Sequence, residues 1–134
     1  MITSPAGQIV LVVEDDPSLL SAVEAILRRG GYLPIPASGP LEALNKSHEF
    51  AGEIHLLLTD IVMPDMDGLV LARHILAERP HIRVLLMSAF ADVSSRLPLL
   101  RKPFGMAQLL KEAANVMAGP SPLPSDIFAG KQSA

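Results

Sequence analysis

Short uninterrupted apolar runs alternate along this chain with longer segments whose apolar residues recur at helical spacing. Gln8–Val13, Ile54–Thr59 and Ile82–Met87 are runs of a length suited to strands buried on both faces. After the first of them, Asp16-Pro17 reads as a helix start, a carboxylate cap followed by proline at the first helical position. Leu19, Leu20, Val23, Ile26 and Leu27 keep helical spacing, Arg28 and Arg29 suit the last turn, and Gly30-Gly31 ends the helix. Tyr32–Pro36 reads as a short strand that its two prolines push to a sheet edge. Gly39-Pro40 opens a second helix whose helical spacing is carried by Leu41 and Leu44, with His48 at the next such position. A third helix runs from about Gly68 to Arg79, with Leu69, Ala72, Ile75 and Leu76 inward and Pro80 as its stop. Leu97–Arg101 is a fifth strand, placed at an edge by Pro98. A last helix, from about Gly105 to Met117, is expected to bury Met106, Leu109, Leu110, Ala113, Val116 and Met117. This alternation builds a doubly wound α/β fold, a five-stranded parallel sheet with helices on both faces.

The length of 134 residues suits one domain, read as residues 1–118 with a core at about 8–117. Residues 119–134, rich in Pro, Ser, Ala and Gly, read as a tail or linker. One interval is irregular. Ser88–Arg96 offers nine residues between the fourth and fifth strands. A parallel crossover normally needs a dozen or more with a helix in it, so the helix there must be shortened or missing.

Composition narrows the function classes. A net charge of −3 with scattered basic residues argues against a nucleic-acid surface. The chain has no cysteine, which removes disulfide and thiolate chemistry and suits a reducing cytoplasm. No apolar run is long enough to cross a membrane. The four histidines (His48, His55, His74 and His81) show no metal spacing and read as surface or packing residues.

In an open α/β sheet, ligands gather at the carboxyl ends of the strands. Here those ends carry Glu14-Asp15-Asp16, Asp60 and Ser88, and the fifth strand is followed by Lys102-Pro103. Several carboxylates at one edge repel each other, and a hard cation such as Mg²⁺ relieves that repulsion. Ser88 can donate to a phosphoryl oxygen and Lys102 can neutralise it. The set is suited to taking a phosphoryl group onto a carboxylate. Asp16, Asp65 and Asp67 read more simply as cap and loop residues.

Four stretches carry a resemblance: Val12-Val13-Glu14-Asp15-Asp16-Pro17, Leu58-Thr59-Asp60-Ile61-Val62-Met63-Pro64-Asp65-Met66-Asp67-Gly68, Met87-Ser88-Ala89 and Lys102-Pro103-Phe104. Together they resemble the response-regulator receiver family of two-component signalling, over roughly residues 8–117. The resemblance implies the flavodoxin-like receiver fold with strand order 2-1-3-4-5. It implies Asp60 as phosphoacceptor and a Mg²⁺ site made by Glu14, Asp15, Asp60 and the backbone carbonyl of Val62, with Asp15 the more direct ligand of the acid pair. Ser88 and Lys102 would bind the phosphoryl group, and Lys102-Pro103 would be a cis peptide. The phosphoryl donor would be a histidine kinase or a histidine phosphotransfer protein. Output would pass through a downstream protein, with no nucleic-acid or membrane partner.

Two positions depart from the family pattern. Leu99 stands where most members carry the aromatic switch residue, three positions before the site lysine. A Leu there is tolerated in receivers that serve kinases. The shortened fourth helix removes part of the family's usual output face. Val62 and Phe90, apolar and bulky beside the acceptor, are expected to hinder water and slow loss of the phosphoryl group. Two other classes compete with this non-enzymatic switch. One is a phosphorylation-independent adaptor on the same fold. The other is an aspartyl-phosphate phosphohydrolase, which would want a second acid where Val62 stands.

Overall fold

The computed structural model describes residues 7–90 and 95–127. Five strands form one parallel sheet: β1 (Ile9–Val13), β2 (Leu33–Ala37), β3 (Leu56–Asp60), β4 (Arg83–Ser88) and β5 (Leu99–Arg101). Their spatial order is β2-β1-β3-β4-β5, as the resemblance implied. β2, which carries Pro34 and Pro36, and β5, which starts at Leu99 just after Pro98, lie at the two edges, where missing donors do least harm. The helices are α1 (Pro17–Arg29), α2 (Pro40–Glu49), α3 (Gly68–Glu78), α4 (Met106–Ala118) and α5 (Pro124–Ile127).

Strand alternation splits the apolar residues between two layers. Val10, Val12, Leu56, Leu58, Leu85, Met87 and Leu100 face α1 and α4, which contribute Val23, Leu27, Leu109 and Ala113. Leu11, Val13, Leu57, Val84 and Leu86 face the other way, where α2 and α3 supply Ala43, Leu69, Leu71, Ala72, Ile75 and Leu76. The strands therefore read as continuous apolar runs because each alternate residue has a layer to enter.

Several local expectations shift. The Tyr32 N–H closes the end of α1 on the Leu27 carbonyl, so β2 starts one residue later than expected. The inner side of α2 is made by Ala43 and Ser47; Leu41 and His48 are exposed and Leu44 is half-buried. Ala43 enters the apolar cluster, and Ser47 meets Arg79, whose guanidinium reaches into the end of α2. Its Nε donates to Ser47 Oγ at 3.0 Å, and its Nη2 donates to the Ser47 and Phe50 carbonyls at 2.8 Å each. In α4, Leu109 and Ala113 are buried, whereas Met106 is exposed and Leu110, Val116 and Met117 are half-buried.

The irregular interval has a geometric reason. β5 pairs only with the upper part of β4: Leu86 with Leu99, Met87 with Leu100 and Ser88 with Arg101. The connection need not descend the whole strand, and no helix lies in it among the described residues. The C-terminal segment also differs from the expected tail. Residues 119–127 run back against the domain, α5 packs on α3, and Ile127 is wholly buried in the core cluster of the α2/α3 layer.

Candidate functional site

The carboxyl ends of β1, β3 and β4 and the start of the loop after β5 meet at one edge. Asp60 closes β3 and is 2% exposed. Glu14, just past β1, is equally buried and is pinned by its own loop: the Asp16 N–H donates to its Oε2 at 3.0 Å. Lys102 Nζ lies between the two acids, donating to Glu14 Oε1 at 2.9 Å and sitting 2.6 Å from Asp60 Oδ1. Its backbone is held too, the Lys102 N–H donating to the Ser88 carbonyl at 2.9 Å. The Lys102-Pro103 peptide is cis.

Neither carboxylate oxygen of Asp60 has a hydrogen-bond donor aligned on it; Lys102 makes only the charge contact with Oδ1. Burial, and then the adjacent Glu14, push Asp60 up to about 7, with Lys102 opposing. Burial also works against the Glu14 charge, but contacts from Asp60, the Asp16 N–H and Lys102 outweigh it and hold Glu14 below its ordinary value. For Lys102 burial favours the neutral amine, yet Asp60 and Glu14 raise it further, so it is charged at neutral pH. Of the two acids, Asp60 is the one raised above its ordinary value and Glu14 the one lowered.

Asp15 is exposed beside them, and Glu14, Asp15 and Asp60 each offer an oxygen within 4.8 Å of the others. Three hard oxygen donors and the unsatisfied Asp60 oxygens fit a small divalent cation. Val62 and Phe90 are 63% and 62% exposed. With Asp60, Met87, Ser88, Ala89 and Lys102 they line a cavity of about 190 Å³. Ser88 is buried, and its Oγ accepts the Phe90 N–H at 2.9 Å. Leu99 is half-buried and packs in the α2/α3 layer.

Asp16 caps α1 through the Ser18 and Leu19 N–H groups, and Asp67 caps α3 through the Val70 N–H. Both keep their carboxylates on helix ends, as read from sequence. Asp65 holds a left-handed φ of 74° while the Met66 N–H bonds the Pro64 carbonyl, a tight γ-type turn. Two residues that shape the site carried little signal. Gly68 packs its backbone against the Asp60 carbonyl, flagged only by its place at the end of the Met63–Gly68 loop. Thr59 is buried, and its Oγ1 donates to the same carbonyl at 2.9 Å.

Residues 10–114 match the sequence profile of the response regulator receiver domain. The chain belongs to the response regulator receiver family. The receiver is 31% identical over 116 residues to the response regulator receiver protein CpdR of Brucella abortus, covering 81% of this chain and 95% of that one. It is 32% identical over 114 residues to the sensor kinase CckA of the same species, covering 79% of this chain and 12% of the relative. The chain thus spans a small part of the longer relatives it matches. Among solved structures, the response regulator TrrA of Thermotoga maritima, in complex with Mg²⁺ and BeF, superposes with a TM-score of 0.71 at 27% identity. That likeness covers 81% of this receiver and 98% of TrrA. The receiver is a phosphoacceptor domain of two-component signalling, and its acidic pocket is of the kind in which receivers bind Mg²⁺.

Proposed function

We propose that Asp60 takes the phosphoryl group, and the observation that carries this is its buried carboxylate, undonated on both oxygens with a charged lysine against it. A carboxylate in that state keeps its lone pairs for bond formation. One Asp60 oxygen forms the O–P bond as the N–P bond of a donor phosphohistidine breaks and the imidazole leaves. Lys102, charged and already beside Oδ1, balances the negative charge delivered to the site. Ser88 supplies a hydroxyl within the same cavity. Glu14, Asp15 and Asp60, with the Val62 carbonyl, would hold Mg²⁺. When bound, the cation neutralises the acid cluster and the incoming phosphoryl oxygens. The Mg²⁺–BeF complex of TrrA supports that choice of metal.

The donor is a histidine kinase or histidine phosphotransfer protein, and the output is contact with a downstream protein in the cytoplasm. CckA, a sensor kinase, and CpdR, a receiver protein, represent the two settings in which such a domain works. The phosphohydrolase reading is disfavoured because exposed, apolar Val62 occupies the position its second acid would need.

Mg²⁺-dependent labelling with acetyl phosphate, read on a phosphate-affinity gel, tests the assignment. A shifted band in the wild type that Asp60→Asn abolishes is the expected result. A wild type that stays unshifted overturns it and favours the adaptor reading.

A further inference from the structure

The peptide that follows the acceptor is held at both of its polar ends. Its N–H, on Ile61, donates to the Met87 carbonyl beside it on β4 at 3.1 Å. In a trans peptide the carbonyl points the opposite way, so the Asp60 carbonyl faces β1. The ladder from β1 stops at Val13 with Thr59, one residue short of Asp60. The Thr59 hydroxyl takes that carbonyl instead, donating to it at 2.9 Å. Gly68 closes over the same oxygen with no room for a Cβ. The Gly68 N–H ties the next carbonyl, that of Ile61, at 2.7 Å.

A buried hydroxyl needs a partner, so a bond from Thr59 is expected in itself. What matters is the carbonyl it takes. The acceptor side chain leaves the backbone at one end of this peptide. The Val62 carbonyl, which joins Asp60 in the proposed Mg²⁺ set, follows two residues on. Turning the peptide between Asp60 and Ile61 would shift those two oxygen donors relative to each other, and metal ligands depend on such outer contacts for their orientation. Gly68 acts as a wall; Thr59 supplies the directional bond that chooses the peptide's orientation against it. Met63 Sδ lies 4.0 Å from the same hydroxyl oxygen, so Thr59 also meets the loop just past Val62.

We propose that Thr59 is a positioning residue. By holding the Asp60 carbonyl, its hydroxyl fixes the peptide between the acceptor carboxylate and the Val62 carbonyl. It thereby sets how tightly the site takes a divalent cation and how fast Asp60 is phosphorylated. The inference rests on Asp60 being the acceptor.

Thr59→Val keeps the β-branched shape and drops the donor, whereas Thr59→Ser keeps the donor and drops a buried methyl. Mg²⁺ titration followed by amide NMR reads affinity with no phosphodonor present. Urea denaturation in chelator reads stability. Thr59→Val should weaken Mg²⁺ binding by about tenfold, the low end for losing a group that orients a metal ligand, and should slow acetyl phosphate labelling at saturating Mg²⁺. Thr59→Ser should be less stable than the wild type, yet bind Mg²⁺ and label close to it. A merely structural hydroxyl would leave affinity and rate following stability. Wild-type affinity and rate in Thr59→Val overturn the positioning role and leave Asp60 as acceptor. So does a loss in Thr59→Ser as large as that in Thr59→Val. Should Thr59→Val fail to fold, Thr59→Cys, with its weak thiol donor, takes its place. It should bind Mg²⁺ less tightly than Thr59→Ser, and equal affinity overturns the role. A wild type that takes no Mg²⁺ or stays unlabelled overturns both readings.

Discussion

A Cβ on Gly68 would stand 1.9 Å from the Asp60 carbonyl oxygen. The first residue of α3 is wedged under the end of β3, where the Gly68 N–H also bonds the Ile61 carbonyl at 2.7 Å. The obstructing atom is backbone, so no side chain can swing away. Gly68→Ala should destabilise the fold by about 1–3 kcal/mol, the range for forced overpacking. Urea denaturation measures that loss, and the labelling assay should show slower phosphorylation as the acceptor strand shifts.

Asp60 offers a second test through pH. Its folded value of about 7 lies above the ordinary 3.8, so the folded protein retains a proton that the unfolded chain has lost. That contribution is whole below about 3.8 and vanishes as pH climbs through 7. Without metal, Asp60→Asn should therefore melt above the wild type by roughly a few degrees near pH 8, with the gap closing on acidification. Glu14, held below its ordinary value, weakens both proteins as pH falls. Calorimetry in chelator across that range checks the crossing. Added Mg²⁺ should narrow the alkaline gap by stabilising the ionised wild type.

Arg79 fastens the end of α3 to the end of α2 with bonds to one hydroxyl and three carbonyls, of Ser47, Phe50 and Gly52. A lysine keeps the charge but loses the planar fork. Arg79→Lys should cost about 1–3 kcal/mol in chemical denaturation, because the abandoned carbonyls are partly buried.

Val62 and Phe90 both line the cavity beside Asp60. Replacing Val62 by a residue that can orient water should speed hydrolysis of the acyl phosphate. Val62→Asn is expected to shorten the half-life of radiolabelled phosphoprotein by about 10-fold, less than the roughly 100-fold or more of a true general base, because an amide orients water without taking its proton. An unchanged half-life would remove Val62 from that role.

The strand order and the main site residues were legible because their signals are local. Asp60, Glu14, Ser88 and Lys102 each come directly after or at the end of an apolar strand, and a parallel sheet brings such ends to one edge. Asp16 and Asp67 were readable as caps because Pro17 and Gly68 open helices directly after them. The hidden features depend on distant partners. Nothing near Arg79 names three carbonyls 27 or more residues away. Ser47 is buried against that fork, one turn after Ala43, with Leu41 outside. Residues 119–127 have the Pro- and Ser-rich composition of a linker, and the core that takes Ile127 is built by residues distant in sequence.

The brevity of the β4–β5 link also bears on how the chain assembles. Doubling its ten residues would raise the entropy of closing that loop by only ~0.6 kcal/mol. Fully burying one isoleucine is worth about 1.5–3 kcal/mol. Dispensing with a crossover helix therefore gains little in chain entropy and forfeits more in lost burial unless something distant replaces it. β5 can zip onto β4 early, across a short separation. Ile127 lies roughly thirty residues beyond Leu97 in sequence, so bringing it to this edge closes a longer loop than pairing β5 with β4 does.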